Sequence, residues 1–141
     1  MKTRSKAGFT LVELMVVAII VAILAAVAIP LMTAQKKRAA ATEGEAGLGA
    51  LRSTMRTIYA EKGVYNVSPL DGSTLTAPVA ITNLPGMNAS DLNGKYFQST
   101  DYSVSALAAS TYTLRVAGST NEVVGVVITL DQGGNFVRTG L

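Results

Sequence analysis

The sequence predicts an α+β fold in which one long N-terminal helix packs on a small C-terminal antiparallel sheet. An uninterrupted apolar run covers residues 14–32, and apolar side chains at helical spacing continue to Ile58. Residues 112–138 instead alternate apolar and polar side chains between glycine-rich turns, which is typical of antiparallel strands. A chain of 141 residues whose first part is an apolar helix has enough residues left for one small globular domain.

The apolar run is long enough to cross a lipid bilayer. None of residues 14–32 has a polar side chain, and at about 1.5 Å per residue a helix of this length spans ~28 Å. The carboxylate of Glu13 stands at the edge of the run, where a charge costs roughly 2.5 kcal/mol or more unless it is paired. Glu13 is therefore expected to have a partner.

The residues around Glu13 carry a specific motif. The stretch Gly8-Phe9-Thr10-Leu11-Val12-Glu13-Leu14 resembles the processing site of type IV pilins and of the related type II secretion pseudopilins. The resemblance implies that a prepilin peptidase cuts between Gly8 and Phe9, and that the new N-terminal residue, Phe9, is N-methylated. It also implies that Glu13 pairs with the amino terminus of Phe9 in a neighbouring subunit as a filament assembles.

The resemblance also implies how the chain is divided. Residues 1–8 form the leader peptide, 9–32 the membrane and filament-core helix, 33–62 an amphipathic continuation of that helix, and 63–141 a globular head with a surface loop and the sheet. The match is specific through residue 30. Beyond about residue 65 only the general pilin-like layout is similar.

A chain of this kind is expected to be a structural protein. The resemblance implies a subunit, the major pilin, of a type IV pilus that serves adhesion, motility or DNA uptake. Its expected partners are further copies of itself in a helical filament, the prepilin peptidase, and the inner-membrane assembly platform with its ATPase. The precursor would lie in the inner membrane and the assembled pilus at the cell surface. No enzymatic activity, cofactor or specific nucleic-acid ligand is expected.

Three other interpretations fit parts of the sequence. A type II secretion pseudopilin would share the same N-terminus and form a short periplasmic filament. An ordinary signal peptide would use the basic residues that follow Met1, and cleavage after Ala26-Val27-Ala28 would leave Ile29 at the N-terminus. A permanent anchor would hold a monomeric binding domain and remain uncut. The charge of Glu13 and the continuation of the apolar run beyond residue 28 favour the pilin interpretation over the signal peptide.

Composition removes several classes of function. The chain has 12 basic and 9 acidic residues, but Lys2, Arg4 and Lys6 lie in the leader, so the processed chain would have nine of each. A basic surface for nucleic acids is therefore not expected. The absence of cysteine and histidine excludes disulfides, thiolate and imidazole catalysis and the usual zinc ligands. Many pilins have a C-terminal disulfide, and this chain must hold that region together by packing alone.

The helix is predicted to continue beyond the apolar run to about Lys62. Leu48, Leu51, Met55 and Ile58 recur at steps of three and four, which places them on one helix face. That face is expected to pack on the sheet.

Four residues weaken the predicted helix. Pro30 removes a backbone hydrogen bond and is expected to kink or unwind residues 26–30. In the pilin family that this N-terminus resembles, the segment at the matching proline can lose helicity when subunits pack into a filament. Gly44, Gly47 and Gly49 each cost about 1 kcal/mol relative to alanine. They are interpreted as points of local flexibility rather than of close helix approach.

The C-terminal part is predicted to form a meander of three or four strands after a turn-rich surface loop. The loop covers residues 65–100, and a first strand is expected to include residues 102–104. The further strands are expected at residues 112–117, 123–130 and 136–138, with turns at 118–121 and 131–135.

Two polar clusters suggest ligands. Asp131 and Asn135 place oxygen ligands on a turn and are the best local candidate for a calcium site, but without an acidic cluster a hairpin turn is the favoured interpretation. The basic run at residues 36–38 follows the apolar segment, where such side chains reach phosphate headgroups. Glu43 and Glu45 are expected to compensate its charge in a filament.

Overall fold

The computed structural model describes residues 8–68, 70–120 and 122–141. The predicted leader, apart from Gly8, and Asn121 of a predicted turn lie outside the described residues. Helix α1 is followed by five strands, with two short 3-10 helices at Ile81–Asn83 and Ser99–Asp101. The bounds are α1 Leu11–Lys62, β1 Val79–Ala80, β2 Tyr102–Leu107, β3 Tyr112–Ala117, β4 Val127–Asp131 and β5 Phe136–Thr139. The α+β fold predicted from the sequence is confirmed.

The chain separates into two compact units, Met1–Ala34 and Gln35–Leu141. The second is called the globular unit below. It contains the whole sheet and the part of helix α1 that packs against it.

The five strands form one antiparallel sheet in the order β1-β2-β3-β4-β5. Each strand pairs with the next one in sequence, so the predicted meander is confirmed, with five strands rather than three or four. Buried residues of the three central strands form two rows across the sheet, Tyr102, Val116 and Ile128 in one and Val104, Leu114 and Leu130 in the other, and Tyr112 is buried next to them in β3.

The C-terminal half of helix α1 packs on this buried face. Leu48, Leu51, Met55 and Ile58 have no exposed surface and belong to the same apolar cluster as the two rows of the sheet. The prediction made from their helical spacing is therefore confirmed. Burying one large apolar side chain contributes about 1.5–3 kcal/mol, so this cluster is the main source of stability for the globular unit.

Strand β4 begins later than the sequence predicted. Residues 123–126 form a turn, because the N–H of Val126 donates a hydrogen bond to the carbonyl of Val123 (2.9 Å). Gly125 within this turn has φ +84°, a left-handed conformation that other residues rarely adopt. The β-branched residues favoured a strand, and the turn at this glycine delays it.

Strand β1 is the second difference from the sequence prediction. Val79 and Ala80 lie in the segment predicted to be a surface loop, yet they pair with Val104 and Ser103 of β2. Two residues are too few to give a recognisable period-2 pattern. This strand is stabilised by backbone pairing with β2.

Helix α1 continues through Pro30. Residues 26–30 are all helical, so no unwound turn is present in this described part of the chain. The hydroxyl of Thr33 donates to the carbonyl of Ile29 (3.1 Å) within the same stretch. Of the two expected effects, local unwinding is not seen at residues 26–30, whereas a kink at Pro30 and loss of helicity in a filament stay predictions.

Two helix glycines allow close packing, which corrects their interpretation as points of flexibility. A Cβ atom on Gly47 would lie 2.6 Å from Cζ of Tyr102, and one on Gly44 would lie 2.9 Å from Cδ1 of Ile128. Gly49 has nothing within 4 Å of the same position. The sheet therefore approaches the helix at Gly44 and Gly47 more closely than alanine would permit.

Replacing Gly47 by alanine is expected to lower the free energy of unfolding by about 1 kcal/mol or more, because the added methyl group overlaps the Tyr102 ring. The same change at Gly49 is expected to raise it by up to about 1 kcal/mol, since that position is open and alanine favours helix. Urea denaturation of the two variants measures the difference. Equal effects would contradict close packing at Gly47.

Tyr102 should make the globular unit sensitive to alkali. Burial, together with the nearby charges of Glu43 and Asp101, raises the pKa of Tyr102 to about 12, whereas an unfolded tyrosine ionises near pH ~10. Between these values the unfolded chain has lost the proton and the folded chain keeps it. The free energy of unfolding should therefore fall by up to about 1.4 kcal/mol per pH unit as the pH rises.

Tyr102→Phe is expected to reduce this slope, because phenylalanine keeps the buried ring and removes the ionisable hydroxyl. Urea denaturation at a series of pH values above ~10 measures the slope for both proteins. An unchanged slope in the variant would assign the alkaline sensitivity to another group.

Glu43 joins helix α1 to the loop that precedes β2. Its Oε1 accepts hydrogen bonds from the backbone N–H groups of Tyr96 (2.8 Å) and Phe97 (2.9 Å). Its Oε2 accepts one from the N–H of Lys95 (3.0 Å). One carboxylate thus satisfies three consecutive amides, a role that the sequence analysis did not predict.

Within the single chain the basic run has an acidic partner outside helix α1, and compensation by Glu43 and Glu45 in a filament stays a prediction. Glu43 is used by the loop amides, and Glu45 forms an ion pair with Arg138. Lys36 instead pairs with Glu122, at 2.9 Å from Nζ to Oε1. In the single chain, therefore, compensation comes from the turn before β4 and not from the next turns of the helix.

Candidate functional site

The motif residues lie at the start of helix α1. Gly8, Phe9 and Thr10 precede the helix, and Glu13 is in its first turn. The side chain of Phe9 is 83% exposed, and nothing lies within 4 Å of the position that a Cβ atom on Gly8 would take. The peptide bond predicted to be cut is sterically accessible in the described part of the chain.

Thr10 and Glu13 form a capping box at the start of the helix. Oε2 of Glu13 accepts hydrogen bonds from the backbone N–H of Thr10 (2.8 Å) and from its hydroxyl (2.7 Å). The N–H of Glu13 donates in turn to the hydroxyl oxygen of Thr10 (3.2 Å). These bonds satisfy amide donors that a helix start leaves unpaired, and the carboxylate lies at the positive end of the helix dipole.

The capping box gives Glu13 a partner in its own chain. Among the described residues, the hydrogen bonds to its carboxylate all use Oε2. Oε1 accepts no hydrogen bond from any residue that the structure describes, so a further donor could reach it without loss of the box. Sequence analysis missed this arrangement, although a threonine followed three residues later by a glutamate is its known signature.

The apolar side chains that follow Glu13 are exposed. Between Leu11 and Met32 the large apolar side chains have 50–74% of their surface accessible. Helix α1 is long and apolar enough to cross a membrane, judged by length and composition. A continuous apolar surface of this kind requires cover from lipid or from other protein chains.

Asp131 and Asn135 close the turn between β4 and β5. The N–H of Asn135 donates to Oδ1 of Asp131 (2.9 Å), and its side-chain amide donates to Oδ2 (2.9 Å). These bonds lower the pKa of the Asp131 carboxyl. Both oxygens are used within the turn, which favours the hairpin interpretation over calcium. Among the described residues, no group of three or more acidic side chains gathers at a potential metal site.

Comparison with known proteins matches the N-terminal part of the chain. Residues 3–29 match the family described as the prokaryotic N-terminal methylation motif. The chain is 41% identical over 59 residues to the type IV major pilin protein PilA of Myxococcus xanthus (strain DK1622). That match covers 42% of this chain and 27% of PilA, so the chain corresponds to about a quarter of the length of this relative.

A solved structure is also similar. The crystal structure of the non-core minor pilin PilV of Neisseria meningitidis matches with a TM-score of 0.49 and 21% sequence identity, over 74% of this chain and 88% of that one. The chain is therefore similar to the prokaryotic N-terminal methylation motif at its N-terminus and to part of a type IV major pilin.

Proposed function

We propose that the chain is a structural subunit, the major pilin, of a type IV pilus, made as a prepilin and polymerised through its N-terminal helix. The observation that carries the proposal is the match of residues 3–29 to the methylation motif, together with the exposed apolar surface that follows it. The similarity to a major pilin supports the same role. Adhesion, motility and DNA uptake are all compatible with such a filament.

Processing would occur between Gly8 and Phe9. A prepilin peptidase requires access to this bond, and the exposure of Phe9 and the open surroundings of Gly8 provide it. Cleavage would remove the leader, residues 1–8, and create a charged amine at Phe9, which would then be methylated. The bond lies two residues before the helix, so cutting it would leave the capping box of Thr10 and Glu13 in place.

Assembly would pair Glu13 with the amine of Phe9 in a neighbouring subunit. Oε2 is held by Thr10, whereas Oε1 is available, so the carboxylate could accept the incoming amine and keep its capping role. An ion pair inside an apolar filament core depends on the presence of both partners, because one unpaired buried charge is strongly unfavourable. The pairing would therefore favour the register in which the two charges meet.

The remaining divisions of the chain follow from this role. Residues 9–32 would lie in the inner membrane before assembly and in the filament core afterwards, with Pro30 permitting local loss of helicity on packing. Residues 33–62 would continue the helix, and residues 63–141 would form the head with the surface loop. Addition to the filament would need the inner-membrane assembly platform and its ATPase.

The proposal is tested by shearing cells that make the protein and imaging the detached material. Filaments that contain this chain outside the cell would support a pilus. Filaments confined to the periplasm would assign the chain to a secretion pseudopilus, and monomer without any polymer would overturn the structural role.

A further inference from the structure

Basic side chains from distant parts of the sequence meet around Glu122. Lys36 lies 2.9 Å from its carboxylate, and Lys37, the next residue of the helix, donates to the carbonyl of Gly140 (2.8 Å). The N–H of Lys95 donates to Oε2 of Glu43 (3.0 Å), which lies about two helical turns after Lys36, so Lys95 belongs to the same region. Lys36 and, more weakly, Lys95 lower the pKa of the Glu122 carboxyl.

Two further side chains extend this cluster. Arg38 is exposed at the next position of the helix, and the ammonium of Lys95 lies 5.2 Å from the ring centre of Tyr96. Together with the carboxylates of Glu122 and Glu43, the four basic side chains carry a net charge of +2. The term basic surface is used below for Lys36, Lys37, Arg38, Lys95 and Tyr96.

The position of the apolar run determines how deep Lys36 lies in a membrane. Lys36 follows Met32 by four residues, which is a rise of about 6 Å in a helix. The headgroup layer on each side of the hydrocarbon core is itself about 5–8 Å thick. If residues 14–32 span the core, Lys36 must lie at the level of the lipid phosphates.

We infer that the basic surface binds the anionic phospholipid headgroups of the membrane in which the unassembled subunit is anchored. The inference rests on the proposed membrane anchoring, and it adds a second contact in which the globular unit lies on the lipid. Lysine and arginine side chains near a bilayer attract anionic lipid, and tyrosine is enriched at this depth. Lys95 and Tyr96 come from the loop before β2, so docking would also fix the orientation of that loop.

The absence of cysteine permits a direct test with single-cysteine variants of the full chain. Ser119→Cys places an environment-sensitive fluorophore in the turn that leads to Glu122, and Ser110→Cys places it before the opposite end of β3. Both positions are exposed. The labelled proteins are reconstituted into vesicles of phosphatidylcholine alone or of phosphatidylcholine mixed with phosphatidylglycerol.

The expected result is a blue-shifted fluorophore at position 119 in the anionic vesicles, reversed by high salt, with no shift at position 110. Lys95→Gln is expected to reduce the equilibrium constant for docking about fivefold, because this is the factor that one basic side chain contributes near an anionic membrane surface. Arg115→Gln removes the same charge from an exposed position of β3 and is expected to have no effect.

Three results would overturn the inference. They are equal spectra at position 119 in both lipids, a response of position 110 as large as that of position 119, and equal effects of Lys95→Gln and Arg115→Gln. Flotation of the unlabelled chain with the vesicles reports the anchor separately. Failure to float would overturn the anchoring and the inference together, whereas flotation with a position-119 signal that is the same in both lipids would overturn the inference alone.

Discussion

Glu13→Gln is expected to leave the precursor in the membrane but to lower filament yield by more than tenfold. Glutamine keeps the shape of the side chain and can still accept from the N–H of Thr10, because glutamine serves at this position of a capping box as well as glutamate does. The change therefore removes the charge and little else. An amine left unpaired in an apolar core costs about 3–5 kcal/mol, far more than a tenfold change in equilibrium requires.

Two controls separate charge from helix capping. Thr10→Ala removes the capping hydroxyl and keeps the carboxylate, so it is expected to cost about 1 kcal/mol of helix stability and to assemble. Glu61→Gln removes an exposed acidic residue near the other end of helix α1 and should assemble normally. Yield is measured as the sheared filament fraction relative to the membrane pool. Normal yield from Glu13→Gln would contradict the pairing role.

Glu43→Ala is expected to lower the free energy of unfolding of the globular unit by about 2–3 kcal/mol. The carboxylate accepts three backbone hydrogen bonds, and hydrogen bonds to a charged group contribute about 1.5–3 kcal/mol each in favourable cases. Partial exposure of Glu43 to solvent lowers the total, because water can replace part of what is lost. The loss should be greatest for the hydrogen bonds of the Tyr96 and Phe97 amides, because these residues are less exposed to water than Lys95.

Urea denaturation measures the stability change, and hydrogen exchange at residues 95–97 localises it. Thr42→Ala provides the matched control, because Thr42 is exposed and its hydroxyl donates to the carbonyl of Arg38 within the same helix (3.3 Å). A loss of less than about 0.5 kcal/mol, the usual range for a surface substitution, would show that the loop is held by other contacts.

The elements with a regular period were predictable from the sequence. Leu48 and Leu51 repeat at helical spacing and are buried against the sheet, and β3 alternates buried and exposed residues from Tyr112 onwards. Such patterns are visible in the sequence because they depend only on the spacing between residues that are close together in the chain. The start of β4 was predicted too early. The β-branched residues around Gly125 favour a strand, but Gly125 adopts a left-handed conformation that forms a turn.

Contacts between distant residues were not predictable. Nothing near Glu43 in the sequence indicates that its partners are three amides some fifty positions later. The close approach of Gly47 to Tyr102 depends equally on the register of β2 against the helix. The capping box of Thr10 and Glu13 is different, because its signature is local and was interpreted only as part of a processing motif.

The central claim is that the chain is processed by the prepilin route, and intact mass with N-terminal sequencing of the protein recovered from cells tests it most directly. The account predicts a chain that begins at Phe9 and carries one added methyl group. A chain that begins at Ile29 would indicate an ordinary signal peptide, and one that retains Met1 would indicate a permanent anchor. Either of these results would contradict the filament mechanism.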